Sequence, residues 1–245
     1  KDINIALADS QTDQEKPQPE PTSTEPQPIE LPNVDLPLQV EVVRLDVHNF
    51  QLKQESPLVV HHLAVEATAL GSNVSVPVLE LDMPQAQGKL DAQVTLKEGY
   101  PLTLNLDALV KDDMAKGQKI VLSAQGSVAD LGLKAQLSGP AQADLKAQLA
   151  LLDPDLAFDI DLKKTEAQWP LVGKGDYFVK VDKLVTKGSL KGYSLSLDSE
   201  LKGKDLPDLD LAVKGKGNLE QIELSSLNLK TLGGSAVGDV LVNWK

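Results

Sequence analysis

Three histidines and two runs of aspartates are the side chains of this sequence best suited to chemistry. His48, His61 and His62 offer imidazole, the usual metal ligand and neutral-pH base. His61 and His62 are adjacent, however, and adjacent strand side chains leave opposite faces, so the pair does not chelate one ion without distortion. They read as surface strand histidines. Asp153, Asp155, Asp159 and Asp161 offer calcium-type oxygens but lack the glycine and closing glutamate of an EF-hand loop. Asp205, Asp208 and Asp210 read the same way, as a solvated face. Gly215-Lys216-Gly217 falls at a strand end with no helix following, unlike a phosphate-binding loop. All three histidines lie in the first third of the chain, and no serine–histidine–acid set is suggested. Cysteine is absent, which removes disulfides, thiolate nucleophiles and cysteine zinc sites. The expectation is a chain that is not an enzyme, with no catalytic residue, no cofactor and no metal.

The elements that would carry such residues are strands. From Gly88 to Lys245 apolar and polar residues alternate in segment after segment, at the period of a β-strand. Leu102, Leu104 and Leu106 take one parity and Thr103, Asn105 and Asp107 the other. Ile120 and Leu122, Leu133 and Leu137, Leu145 and Leu149 continue the apolar set. So do Phe158, Ile160 and Leu162, then Leu195 and Leu197, then Leu209, Leu211 and Val213. Glu98-Gly99, Lys116-Gly117, Ser138-Gly139-Pro140, Asp153-Pro154 and Gly233-Gly234 punctuate the strands closely enough for antiparallel hairpins. No segment shows a helical period.

Residues 33–87 alternate less regularly than the meander of residues 88–245. Val40 and Val42 change parity toward Leu45 and Val47, and Val74 and Val76 change toward Leu79 and Leu81. Each shift predicts a bulge, which moves later side chains to the other face and bends the sheet. Residues 1–8 (Ile3, Ile5, Leu7) read as the end of a preceding strand. Residues 9–32, with Lys16-Pro17-Gln18-Pro19-Glu20-Pro21, have no apolar period and predict a disordered linker or loop. The absence of an initiator methionine and signal peptide is read as an internal fragment of a longer protein.

Composition narrows the partners. A net charge of −12 argues against nucleic acid and against polybasic docking on anionic lipid. Aromatic residues are only 3 %, so an interior must be built from Leu, Val and Ala. That suits a smooth aliphatic surface better than a ring-filled sandwich core. Trp169-Pro170-Leu171-Val172-Gly173 ends a strand, because a residue before proline is held extended. It and Trp244 serve either as local plugs or as ligand contacts.

Several segments in order carry a resemblance. They are Leu137-Ser138-Gly139-Pro140-Ala141-Gln142-Ala143-Asp144-Leu145-Lys146-Ala147-Gln148, Trp169-Pro170-Leu171-Val172-Gly173, Tyr193-Ser194-Leu195-Ser196-Leu197, and the closing stretch from Gly234 to Trp244. The acidic, proline-rich residues 11–32 fall where a comparable insertion is found. Together they resemble the N-terminal half of the TamB family of AsmA-like bridge proteins. The resemblance implies a protein anchored in the inner membrane of a Gram-negative bacterium and crossing the periplasm. It implies an all-β fold, a long antiparallel sheet curled into an open, taco-like groove lined with aliphatic side chains. It also implies roles in phospholipid transport and in assembling autotransporters and other outer-membrane proteins. The partner would be a TamA-like outer-membrane barrel, met through a C-terminal region outside this fragment, as the membrane anchor would also be.

The reading that joins pattern and resemblance is a lipid conduit. Phospholipid acyl chains would lie on Leu102, Leu104, Leu106, Ile120, Leu122, Leu133, Leu137, Leu145, Leu149, Phe158, Ile160, Leu162, Leu195, Leu197, Leu209, Leu211 and Val213. A chaperone-like scaffold for nascent outer-membrane strands is the first rival. A closed β-sandwich or barrel serving as a spacer is the second.

Overall fold

The computed structural model describes residues 29–53 and 57–244. The expected strand end at residues 1–8 lies outside them, as does most of the proline-rich segment. Fourteen strands follow one another: β1 (Leu36–Leu52), β2 (Leu58–Gly71), β3 (Asn73–Asp82), β4 (Ala86–Thr95), β5 (Leu102–Val110), β6 (Lys119–Ser127) and β7 (Asp130–Ser138). The chain continues through β8 (Gln142–Ala150), β9 (Ala157–Trp169), β10 (Tyr177–Ser189), β11 (Gly192–Gly203), β12 (Leu206–Gly217), β13 (Gln221–Thr231) and β14 (Gly234–Asn243). No helix interrupts them among the described residues, and none is therefore long and apolar enough to cross a membrane.

Every strand pairs antiparallel with its sequence neighbours, in the order β1 to β14, and no strand touches any other. The sheet is a single unclosed layer. The closed sandwich or barrel considered as a spacer is therefore not what this chain forms. At about 4.8 Å per strand the fourteen-strand stack runs on the order of 60 Å.

The two faces differ as the alternation requires. In β5 Leu102, Leu104 and Leu106 are half-buried while Thr103, Asn105 and Asp107 are exposed. On the apolar side Ala124, Ala143 and Val213 fall to 9 % exposure or less, although no second layer among the described residues covers them. Only the sheet's own curl and its neighbouring side chains shield that side. The sheet is curled into an open groove with the apolar face inward.

Curl and continuity both depend on bulges. Register shifts fall between Val42 and Leu45 in β1 and between Val76 and Leu79 in β3, at the two parity changes of the sequence. The register is unbroken from β4 to β8. It shifts again between Gln142 and Asp144, where β9 carries an extra residue, and between Val181 and Lys183. Those two bulges lie opposite each other, so the pairing of β9 with β10 runs through them without a slip.

The turns along one rim are stitched together by backbone hydrogen bonds. Leu96 N–H donates to Ser72 O (2.7 Å), Val128 to Gly99 O (2.9 Å), Leu151 to Val128 O (3.0 Å) and Leu190 to Asp155 O (2.8 Å). The segment leading into β1 runs along this rim. Ile29 N–H donates to Leu152 O (3.1 Å), Val34 N–H to Leu96 O (2.9 Å), and the Tyr100 hydroxyl to Pro32 O (2.6 Å).

Candidate functional site

Cross-strand pairing turns the alternation of each strand into rows that run the length of the sheet. The central row starts at Leu45, Val65, Leu79 and Leu90 on β1 to β4. It continues through Leu106, Leu122, Ala135, Leu145 and Leu162 on β5 to β9. It ends through Leu184, Leu197, Val213, Leu227 and Gly238 on β10 to β14. No polar side chain enters it. At most positions a slip of one residue would have put a charged side chain in line, as Asp46 for Leu45 or Lys146 for Leu145, so the bulges keep the row intact.

A second row beside it alternates in size. Leu104, Ala124, Leu133, Ala147, Ile160, Thr186, Leu195, Gly215 and Leu224 pair in succession from β5 to β13. Large groups next to small ones leave a corrugated floor rather than a level one. Leu137 pairs with Ile120 and Ala143 on the other flank of the central row. Leu209 and Leu211 pair with Leu201 and Ser199 on β11. Every aliphatic residue expected to line a groove therefore lies on this one face, together with Phe158.

The third row holds two aromatic residues, Phe158 and Tyr193. Phe158 pairs with Gly188, and Gly188 with Tyr193, so the two rings flank a glycine with centroids 6.1 Å apart. Tyr193 in turn lies over Gly217, where an added Cβ would come within 2.6 Å of its hydroxyl oxygen. Glycine leaves the floor bare where a ring must lie down. The rings are spread along the floor instead of closing the groove.

Charge is confined to the opposite face, largely in exposed pairs. Lys89 Nζ is 2.7 Å from Glu80 and Lys187 Nζ 2.8 Å from Asp159. The hydrogen bond and charge of Lys89 hold the Glu80 carboxyl below its ordinary range, and those of Asp159 raise the Lys187 ammonium above its own. Exposed pairs of this kind add little stability but keep the outer face wet.

The residues that could have carried chemistry are dispersed. Asp153 accepts the Asp155 N–H (2.8 Å) inside its own turn, and Asp155 is paired with Lys191 at 2.9 Å. Gly215 and Gly217 sit within β12, paired on both sides, with no room for a phosphate. Trp169 closes β9 through a cis bond to Pro170 and is 57 % exposed; Trp244 donates its indole N–H to Leu219 O at 2.7 Å. His61 approaches Asp82 at 3.9 Å, whereas His62 approaches Asp46 at 3.3 Å and stacks on His48. The histidines thus divide as the adjacency of 61 and 62 required, but His48 joins His62 from the neighbouring strand.

Sequence reasoning missed Leu184 and Leu227, both in the central row. Each lies just beyond a bulge, where the parity of its strand changes and alternation counted from the strand's other end assigns it to the wrong face. A pairing of strands, not a periodicity, was the signal that would have found them.

Among known proteins, the family model described as TamB, N-terminal domain, matches residues 1–245. No solved structure matches the chain.

Proposed function

The chain belongs to the TamB family, and from that premise we propose that its apolar groove carries phospholipid acyl chains between the inner and outer membranes. TamB proteins are bridge and assembly proteins, not known as enzymes, that are anchored in the inner membrane, span the periplasm and associate with TamA-type partners. In this reading the headgroup stays toward the open, hydrated mouth of the groove while the acyl chains lie on the floor. Support for autotransporter and outer-membrane protein assembly is the wider role that lipid supply would serve.

One observation carries the reading: an apolar row that crosses all fourteen strands without a polar interruption and, among the described residues, without a protein layer over it. Each methylene withdrawn from water favours the groove by roughly 0.8 kcal/mol. A long acyl chain is therefore held firmly overall. The neighbouring sites are near-equivalent Leu, Val and Ala positions with no deep pocket, so a shift by one strand exchanges similar contacts. That is the energetic condition for sliding.

A second reading has its own observation. The outer edges of β1 and β14 pair with no described strand, and an exposed edge is a template for an added strand. A nascent outer-membrane strand held there would make the protein an assembly scaffold without lipid transport.

Photocrosslinking in living cells separates the two. Probes at Leu104 and Leu211 on the groove face are compared with probes at Thr103 and Asp210 on the outer face. Phospholipid adducts from the groove probes alone are the expected result. Polypeptide adducts instead of lipid would move the conclusion to the scaffold, and adducts from neither face would remove both.

A further inference from the structure

We propose that Asp46, His48 and His62 form a binding site for a borderline divalent transition metal, zinc or copper(II), that clips the edge strand β1 to β2. The three residues come from two strands and share the outer face. Asp46 and His48 stand two apart on β1, and His48 is the register partner of His62 on β2. One donor atom from each lies within 4.8 Å of the other two. Asp46 Oδ1 and His62 Nε2 are already 3.3 Å apart, close to the roughly 3.3 Å between ligand atoms of a tetrahedral zinc site with bonds of about 2.0 Å. The imidazoles of His48 and His62 are stacked, with centroids 4.7 Å apart and planes 18° from parallel.

The surroundings hold the carboxylate in place. Arg44 grips both carboxylate oxygens, Nε donating to Asp46 Oδ2 at 2.5 Å and Nη2 to Oδ1 at 3.2 Å; Oδ1 is the atom nearest His62 and would offer its remaining lone pair to the metal. An outer hydrogen bond of this kind orients a ligating carboxylate and steadies the site. Glu66 lies 2.9 Å from Arg44 and offsets its charge against an incoming cation. Two imidazoles and one carboxylate leave a fourth position for water, and nitrogen donors select zinc, copper or nickel over calcium and magnesium. The clip lies beside the bulge between Val42 and Leu45, on a strand whose outer edge pairs with no described strand. It would pin the register there without touching the apolar row on the other face.

The test is calorimetric titration of the full chain with zinc, alongside H48A, H62A and H61A, each checked for native far-ultraviolet dichroism. Saturable binding of one equivalent at micromolar zinc is expected, weakened at least about tenfold in H48A and in H62A and unchanged in H61A. H61A is the control because His61 turns to Asp82 and contributes no donor to the cluster. The proposal is overturned if no saturable binding appears below about 1 mM zinc, or if H61A weakens it as much as H48A does. Failure here leaves the lipid groove untouched, since the two sites occupy opposite faces.

Discussion

The middle of the sheet and its flanks solve the same problem in different ways. From β4 to β8 the register never slips, and strict alternation alone keeps Leu90, Leu106, Leu122, Ala135 and Leu145 in line. On both sides most strands are longer and the register slips repeatedly, yet the same row continues. There the sequence changes parity wherever a bulge changes face, so two irregularities cancel. The difference teaches that the conserved quantity along this molecule is the face, not the period. A bulge adds bend and twist, which gives the flanks a freedom of curvature that the middle lacks.

Substitutions in the two regions should therefore differ in size, and glycine gives the largest contrast. Gly126 ends the hairpin of β6 at φ +126°, and a Cβ there would lie 2.2 Å from Asp130 O. Gly126→Ala should lower stability by more than about 2 kcal/mol in urea unfolding, because backbone has to move. Gly238, at the end of the same central row on β14, has nothing within 4 Å of the added carbon. Gly238→Ala should be neutral or slightly stabilising, since alanine reduces the freedom of the unfolded chain. Equal losses at the two positions would mean that the end of the row on β14 is packed as tightly as the β6–β7 hairpin.

Glutamine gives the next contrast. Gln118, 6 % exposed, reaches from the β5–β6 loop to the β7–β8 turn. Its amide donates to Ser138 O (3.2 Å) and Ala141 O (3.0 Å), and its carbonyl accepts from Ala141 N–H (2.8 Å). Gln118→Ala removes three part-buried hydrogen bonds that join two loops and should lose about 1–3 kcal/mol. Gln168 bonds only Leu171 O and Gly173 O inside its own turn. Gln168→Ala should lose less than about 1 kcal/mol. A loss at Gln168 matching that at Gln118 would sink the view that the middle is the better stitched rim.

The all-β fold and the direction of every strand were legible because alternation and hairpin turns act over a few residues. The bulges of β1 and β3 were legible too, because valines and leucines stand on both sides of each parity change. The slip between Leu224 and Leu227 was hidden by Ser225 and Ser226, which mark neither face. That between Leu162 and Thr165 passes through Lys163 and Lys164, where the positive φ of 49° at Lys164 leaves no apolar trace. The rim contacts of Ile29 and Val34 use backbone groups, which every residue carries. The approach of His48 to His62 needed the register of β1 on β2, which alternation within a single strand does not give, while the adjacency of His61 and His62 pointed to the wrong pair.

The smallest expected effect concerns acid and falls on one flank. Hydrogen bonds from Arg44, Lys89 and Lys111 lower the Asp46, Glu80 and Asp82 carboxyls below their ordinary range, and all three lie on β1 or β3. A carboxyl lowered by folding adds stability above its unfolded-state pKa of about 4, and that contribution disappears as the pH falls from there through the folded value. Acid should therefore loosen β1 to β3 first, by an amount kept small by solvent exposure. Amide resonances of β1 to β3 should shift or broaden between pH 5 and pH 3 before those of β5 to β7. Lys89→Met and Lys111→Met should each flatten that response by removing the partner whose hydrogen bond lowers the carboxyl. Simultaneous loss in both regions, unchanged by either substitution, would show that the flank's charges do not set its acid sensitivity and that its bulges alone distinguish it from the middle.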